Sequence, residues 1–330
     1  MKPIVLDFPV QTLDGKTLMV AGTPVDDDSL QEMLERHRHE PPPSRPLLRH
    51  GSIAGDLEVF MERTPYQEIF SDDKVRSSVQ ALMKQVEVPP AVLRSLDYFR
   101  ARDFYTYRHI LLVFAVATRL AQELVTDHQE MIQEAMAGPT HDFGKICVPL
   151  EILQKTSPLT TQERLHLQHH AAAGYVLLIH HFQNRRNLSS LVARDHHEKR
   201  DGSGYPQGIR QYDRMVEIVA ASDIYDALLS PRPYRAESYD NRTALEELTD
   251  LAAQEKLSWE VVQALIACNR SNRPNYRECF VSLERRGRPP AENLYGQTAP
   301  DGEKPGTPEP QPSPQEANVP DPPKRSRKKR

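Results

Sequence analysis

Two pairs of adjacent residues stand out among the thirteen histidines of this 330-residue chain: His141-Asp142 and His196-His197. A further carboxylate, Asp223, lies inside the apolar segment VAASDIYDALL. An ionised carboxylate buried without a partner costs several kcal/mol, and a bound cation removes that cost. Most of the other histidines lie in polar contexts or lack an acidic neighbour. These residue types together predict a metal site.

Helices must carry two of the candidate ligands into the interior. Apolar residues surround Asp223 on nearly all sides of its predicted helix, which is typical of a buried helix. His109 opens a second apolar helix, whose face continues through Val113, Val116 and Leu120 at helical spacing. Imidazole and carboxylate donors suit first-row metals, and the mixed nitrogen and oxygen set favours iron or manganese.

Several motifs lie in a defined order along residues 97–240. The five main ones are HDFGK, the histidine pair, DGSGYP, SDIYDAL and RPYR, which begin at His141, His196, Asp201, Ser222 and Arg232. YTYRH ends at His109, and Glu163 is followed by His170 and Gly174 at intervals of seven and four. In order and spacing this set resembles the HD-GYP subfamily of the HD phosphohydrolase superfamily.

The resemblance implies an all-α catalytic domain with two divalent metal ions, iron or manganese. One ion would be held by His109, His141, Asp142 and Asp223, and the other by His170, His196, His197 and the bridging Asp142. An alternative is that His196 orients its neighbour instead of binding metal. Some family members hold a third ion through a glutamate, but Tyr105 stands at that position here. We therefore expect two metals.

The activity that the resemblance implies is hydrolysis of cyclic di-GMP to linear pGpG, with GMP as an optional further product. Attack on phosphorus would come from metal-activated hydroxide. Asp142 and Lys145 are the predicted catalytic residues, and substrate would contact Lys145, Tyr205, Arg232 and Arg235. The alternatives are that Lys145 is a surface lysine at a helix end, that the two arginines are solvated in their loop, and that Tyr205 packs in its loop or faces a partner protein.

The approach to the HD motif departs from the family pattern. Gly138 and Pro139 interrupt the apolar helix that precedes His141, and proline is expected to kink it. Two other functions therefore stay open. The chain could be a weakly active or inactive sensor that binds cyclic di-GMP, or a phosphohydrolase that acts on another cyclic dinucleotide.

Composition limits the classes of protein that this chain could belong to. A formal charge of -4 does not mark the whole chain as a binder of nucleic acid or membranes. Three cysteines without paired spacing favour a reducing compartment, and we expect a cytoplasmic protein. No apolar run is long enough for a transmembrane segment. A diguanylate cyclase or another signalling protein is a candidate partner.

Three segments are expected along the chain. Residues 1–95 form an N-terminal region of unknown role that includes a small hairpin with its turn at Asp14-Gly15. Residues 96–286 form the HD-GYP-like helical domain. Residues 287–330 form a disordered, proline-rich tail, whose basic end is either solvated or in contact with nucleic acid or an anionic membrane.

Overall fold

Helices make up more than half of the residues that the computed structural model describes, which are residues 3–231 and 237–290. The all-α prediction with a small mixed N-terminal region is confirmed for this part of the chain. The α-helices are α1 Asp27–Arg36, α2 Ile53–Met61, α3 Gln67–Phe70, α4 Asp73–Met83, α5 Pro90–Arg102, α6 Phe104–Leu124, α7 His128–Thr140, α8 Leu150–Leu153, α9 Thr161–Phe182, α10 Leu188–Asp195, α11 Arg214–Leu229, α12 Asn241–Ala253 and α13 Trp259–Cys268. The predicted tail lies outside the described residues, apart from residues 287–290.

The strands form three short antiparallel pairs in the described chain. They are β1 Ile4–Val5 with β4 Pro24–Val25, β2 Val10–Gln11 with β3 Thr17–Met19, and β5 Arg45–Pro46 with β6 Glu87–Val88. The predicted hairpin is the second pair. Its turn places Gly15 at a φ of 83°, a conformation that glycine adopts without steric cost.

Helix α6 runs through the centre of the molecule. Asp103 begins it by accepting a hydrogen bond from Thr106 N, which satisfies one of the free amides of the first turn. Nearly every side chain from residue 106 to residue 121 is buried, and α2, α4, α5, α7, α11 and α13 pack around the helix. This burial explains why the segment is apolar on all faces.

One continuous hydrophobic core extends from Ile4 to Cys279. The boundary predicted at residue 95 falls inside α5, which spans Pro90–Arg102. Pro90 occupies the start of that helix, where a missing amide hydrogen costs nothing, so the Pro89-Pro90 pair begins a helix as well as ending the previous segment. The helices on both sides of residue 95 contribute to the same core.

Gly138 and Pro139 lie inside α7, which continues to Thr140. His141 N donates to Ala137 O at 3.0 Å, so helical hydrogen bonding resumes after the proline. A Cβ atom at Gly138 would lie 2.9 Å from the Cα of Phe114 in α6. The glycine therefore permits close contact between α7 and the central helix. No helix of the described residues has the length and apolar character needed to span a bilayer.

Candidate metal centre

Seven side chains from five helices meet in one buried cluster. His109 projects from α6, the His141-Asp142 pair lies at the end of α7, and His170 lies within α9. The remaining members are His196 and His197 at the end of α10 and Asp223 in α11. The structure thus brings together all seven residues that were predicted as ligands. Except for the partly exposed His197, they are buried.

The first half of the cluster surrounds the Oδ2 atom of Asp142. His109 Nε2 lies 3.4 Å from this oxygen and 3.0 Å from Asp223 Oδ1. His141 Nε2 lies 3.3 Å from the same Asp142 oxygen. Ligand atoms of His109, His141 and Asp223 all lie within 4.8 Å of one another, which is close enough for one ion to contact all three.

The second half lies on the other side of Asp142. His170 Nε2 is 3.5 Å from Asp142 Oδ1, 3.3 Å from His196 Nε2 and 3.2 Å from His197 Nε2. The two carboxylate oxygens of Asp142 therefore face different groups of imidazoles. The ligand atoms of His196, His141 and Asp142 also lie within 4.8 Å of one another, so His196 lies between the two halves of the cluster.

The hydrogen bonds of the imidazoles fix which ring nitrogen carries the proton. The Nδ1 atoms of His141, His170 and His196 lie 2.6, 2.6 and 2.9 Å from the carbonyl oxygens of Gly138, Leu167 and Ala193. A carbonyl oxygen only accepts, so each Nδ1 carries hydrogen and each Nε2 presents a lone pair. In each case the carbonyl belongs to the residue three positions earlier in the chain.

His109 uses a carboxylate for the same purpose. Its Nδ1 lies 2.6 Å from Asp226 Oδ2, so its Nε2 is also directed into the cluster. Within the described residues, the buried Nε2 atoms of His109 and His141 have no hydrogen-bond partner. A buried imidazole nitrogen that faces a carboxylate oxygen is stable only if a proton or another cation lies between the two atoms. The residues present therefore fit a metal ion.

The electrostatic environment also suits metal ligands. Burial lowers the pKa of His170 to about 4 and that of His196 to about 3, so both rings are neutral near pH 7. Burial alone would raise the pKa of Asp142, but Lys145 and the neighbouring imidazoles hold it well below its usual value. The pKa of His109 shifts in the opposite direction. Burial alone would lower it, but the three surrounding carboxylates raise it to about 10. The cluster thus favours a positive charge.

The histidine pair stands where α10 ends. His196 is the residue after the last helical residue, so the chain can direct two consecutive imidazoles into the same site. The loop that follows folds back against the pair: a Cβ atom at Gly204 would lie 2.3 Å from His197 O, and Tyr205 N donates to that oxygen at 3.2 Å. The ring of Tyr205 stacks on the ring of His197.

The 3₁₀ turn at Phe143–Cys147 places Lys145 beside the cluster. Lys145 Nζ lies 2.6 Å from Asp142 Oδ2. A Cβ atom at Gly144 would lie 2.0 Å from His170 O and 2.4 Å from Gly174 N, so the turn touches α9 backbone to backbone. This contact brings the HD motif next to His170. The predicted substrate residues Arg232 and Arg235 lie outside the described residues.

Sequence reasoning missed two carboxylates that support the cluster. Asp226 holds His109, and its position three residues after Asp223 on an apolar helix was the available signal. Glu198 is buried directly after the histidine pair and accepts hydrogen bonds from three consecutive amides, those of Gln207, Gly208 and Ile209, at 2.6, 3.0 and 3.0 Å. These hydrogen bonds hold together the two ends of the loop that carries Tyr205.

The chain is similar to several known proteins. A family model described as HD domain matches residues 75–260, more than half of the chain. A cyclic di-GMP phosphodiesterase response regulator from Xanthomonas campestris is 35% identical over 154 residues, covering 46% of this chain and 40% of that protein. A cyclic di-GMP phosphodiesterase from Thermotoga maritima is 33% identical over 178 residues, covering 53% of this chain and 48% of that protein.

Another relative is named for a different substrate. A 3'3'-cGAMP-specific phosphodiesterase from Vibrio cholerae is 34% identical over 137 residues, covering 41% of this chain and 31% of that protein. The chain spans less than half the length of each of these three curated relatives.

Proposed function

The chain belongs to the HD domain family and is of the HD-GYP type, and from this premise we propose that it is a metal-dependent phosphodiesterase acting on a cyclic dinucleotide. The leading substrate is cyclic di-GMP, with pGpG as the first product and GMP as an optional second one. The observation that carries the proposal is the position of Asp142, whose Oδ2 faces His109 and His141 while its Oδ1 faces His170.

We assign the seven clustered side chains to two divalent ions, iron or manganese. His109, His141, Asp142 and Asp223 would hold one ion, and His170, His196, His197 and Asp142 would hold the other. Bound ions supply Lewis acidity that activates water and offsets the charge developing on a phosphate. The lowered pKa values of His170, His196 and Asp142 support this assignment, because metal ligands must be deprotonated at the donor atom.

Lys145 is proposed to contact the substrate phosphate. Its ammonium group lies against Asp142, and its side chain is 14% exposed, so a ligand entering the site can reach it. A positive charge at this position would stabilise an anionic phosphate oxygen as negative charge increases during hydrolysis. Tyr205 is the second proposed contact, because its ring stacks on the partly exposed His197 and an aromatic ring can stack on a nucleotide base.

Two other functions have support of their own. The likeness to a 3'3'-cGAMP-specific phosphodiesterase favours a second candidate substrate, another cyclic dinucleotide. A sensor that binds cyclic di-GMP with little or no turnover is the other alternative. It is motivated by Gly138 and Pro139 in the helix that leads to His141, since a displacement of about 1 Å can lower a rate by about 10²-fold.

A turnover assay separates these functions. The metal-free full chain is loaded with Fe²⁺ or Mn²⁺, incubated with cyclic di-GMP or 3'3'-cGAMP, and its products are separated by chromatography. We expect pGpG from cyclic di-GMP, and no product when a chelator is added. Absence of turnover with both metals would contradict the proposal. Tight binding without product would favour the sensor, and faster cleavage of 3'3'-cGAMP would favour the second substrate.

Partners and compartment are also proposals. Cyclic di-GMP hydrolysis would oppose a diguanylate cyclase, which makes such an enzyme a candidate partner in the same pathway. The three cysteines are unpaired, in agreement with the expected reducing, cytoplasmic compartment. Contact of the basic tail with nucleic acid or an anionic membrane would be tested by the salt dependence of binding.

A further inference from the structure

Tyr66 connects the N-terminal region to the candidate metal centre. It is buried just before α3, in the region for which no role was predicted. Its hydroxyl donates a hydrogen bond to Asp226 Oδ1, although the two residues are 160 positions apart in the sequence. Burial and the charge of Asp226 raise the pKa of Tyr66 well above its usual value, so the hydroxyl keeps its proton and acts as a donor.

Asp226 has a donor at each oxygen. Oδ2 accepts from His109 Nδ1 at 2.6 Å, while Oδ1 accepts from Tyr66 and from Ser230 Oγ, the latter at 3.0 Å. The residue is fully buried. Donors at both oxygens determine the plane of a carboxylate, because rotation about its terminal bond would break at least one of these contacts. The plane of Asp226 in turn aims Oδ2 at the imidazole of His109.

We propose that Tyr66 is a positioning residue of the metal centre, which acts through Asp226 to hold the His109 ring in its ligand orientation. The N-terminal region thus contributes directly to metal affinity. The inference rests on the proposed function in one respect, namely that the cluster binds metal. A partner that hydrogen-bonds a metal ligand directly, as Asp226 does, typically changes metal affinity by about 10- to 100-fold when removed, and for Tyr66, which acts through Asp226, we expect the lower end of that range.

A purely structural role for Tyr66 makes a different prediction. The Tyr66 ring packs edge to face against Tyr225, with centroids 6.2 Å apart. Tyr66→Phe keeps this ring and removes only the hydroxyl. Tyr225→Phe is a matched control, because it also removes a buried hydroxyl, one whose oxygen lies 2.7 Å from Asn241 Oδ1 and 3.0 Å from Asn269 Oδ1 instead of beside Asp226.

The first experiment is calorimetric titration of the metal-free full chain with Mn²⁺. Tyr66→Phe is expected to weaken one of two binding events by about 10-fold and to leave the other within about twofold. Tyr225→Phe is expected to leave both events unchanged. Wild-type affinity in Tyr66→Phe would overturn the inference, and so would an equal loss in both variants, since that would indicate general loosening of the core.

A second measurement needs no metal. In the metal-free protein labelled with ¹⁵N-histidine, Tyr66→Phe should shift the Nδ1 proton signal of His109, while Tyr225→Phe should not. An unshifted signal would overturn the inference whether or not metal binds. If the wild-type chain binds neither Mn²⁺ nor Fe²⁺, the proposed function fails, but the His109 signal still decides whether Tyr66 acts on this ring. Thermal unfolding of each metal-free variant verifies that it is folded.

Discussion

The ring of Tyr205 stacks on the ring of His197, with their centroids 4.5 Å apart and their planes 24° apart. The stacking restricts the orientation of an imidazole that lies partly exposed at the rim of the cluster. His197 Nε2 remains directed at His170 Nε2, 3.2 Å away. The tyrosine of the DGSGYP motif therefore supports a candidate ligand, and its predicted contact with substrate would use the same ring.

Replacing Tyr205 should separate these effects. Tyr205→Ala removes the stacked ring, and we expect Mn²⁺ affinity at one site to fall about 10-fold because His197 loses its support. Tyr205→Phe keeps the ring and should retain most of that affinity. Calorimetric titration of both variants provides the measurement. Unchanged metal affinity in Tyr205→Ala, together with a raised KM, would instead assign the ring to substrate binding alone.

Glu198 is expected to control the order of the loop that carries Tyr205. Its buried carboxylate accepts from three consecutive amides, and hydrogen bonds to a charged group contribute about 1.5–3 kcal/mol each. Glu198→Gln removes the charge, so the amides of Gln207, Gly208 and Ile209 should exchange hydrogen faster. Asp201→Asn is the control in the same loop, because Asp201 is exposed and accepts only from Ser203 in the described contacts. Equal exchange rates in the two variants would be inconsistent with this role.

Asp142→Ala should remove both metals together with activity. The two oxygens of this carboxylate face the two halves of the cluster, so neither half keeps its full set of negative ligands after the change. Metal content by atomic absorption and turnover of cyclic di-GMP would be measured on the same preparation. A variant that keeps one metal would limit Asp142 to a single site, and full activity would exclude it as a ligand.

Gly138→Ala tests the close contact between α7 and α6. The added methyl group would lie 2.9 Å from Phe114 Cα, and overpacking of this kind costs about 1–3 kcal/mol of stability. Gly55→Ala is the control within α2, where a Cβ atom meets nothing within 4 Å and alanine should stabilise the helix by up to about 1 kcal/mol. Chemical denaturation of both variants would measure the difference. Equal stability changes would contradict the packing account.

His180 should make the protein sensitive to acid. Burial and the nearby His181, His39, Lys16 and His37 lower its pKa to about 3. The ring is therefore neutral in the folded protein at pH 5, whereas in the unfolded chain it is protonated below about pH 6.5. The stability that the neutral His180 ring contributes above about pH 6.5 is therefore lost as the pH falls towards 3.

His180→Gln should accordingly reduce the slope of the free energy of unfolding against pH. The expected reduction is about 1.4 kcal/mol per pH unit around pH 5, which corresponds to one proton. His50→Gln, which changes a ring beside the exposed Asp97, is the control. An unchanged slope in His180→Gln would mean that this ring does not bind the proton on unfolding.

Local features of the centre could be predicted from the sequence, and contacts between distant segments could not. The motifs predicted the seven clustered residues. The hydrogen bonds of His141, His170 and His196 are each made to the residue three positions earlier, so they depend only on local helical structure. The bond from Tyr66 to Asp226 joins residues that only tertiary packing brings together. His39 likewise lies in a polar stretch of the sequence, but its ring lies 4.7 Å from that of the buried His180.

The carbonyl contacts of the three helix-borne imidazoles have a consequence for metal exchange. Their rotation is already restricted when folding is complete, so an arriving ion need not order them, and little conformational entropy remains to be lost on binding. Chelation should therefore empty the centre without melting its helices. The chain would then act as a rigid receptor whose occupancy follows the supply of free metal in its surroundings.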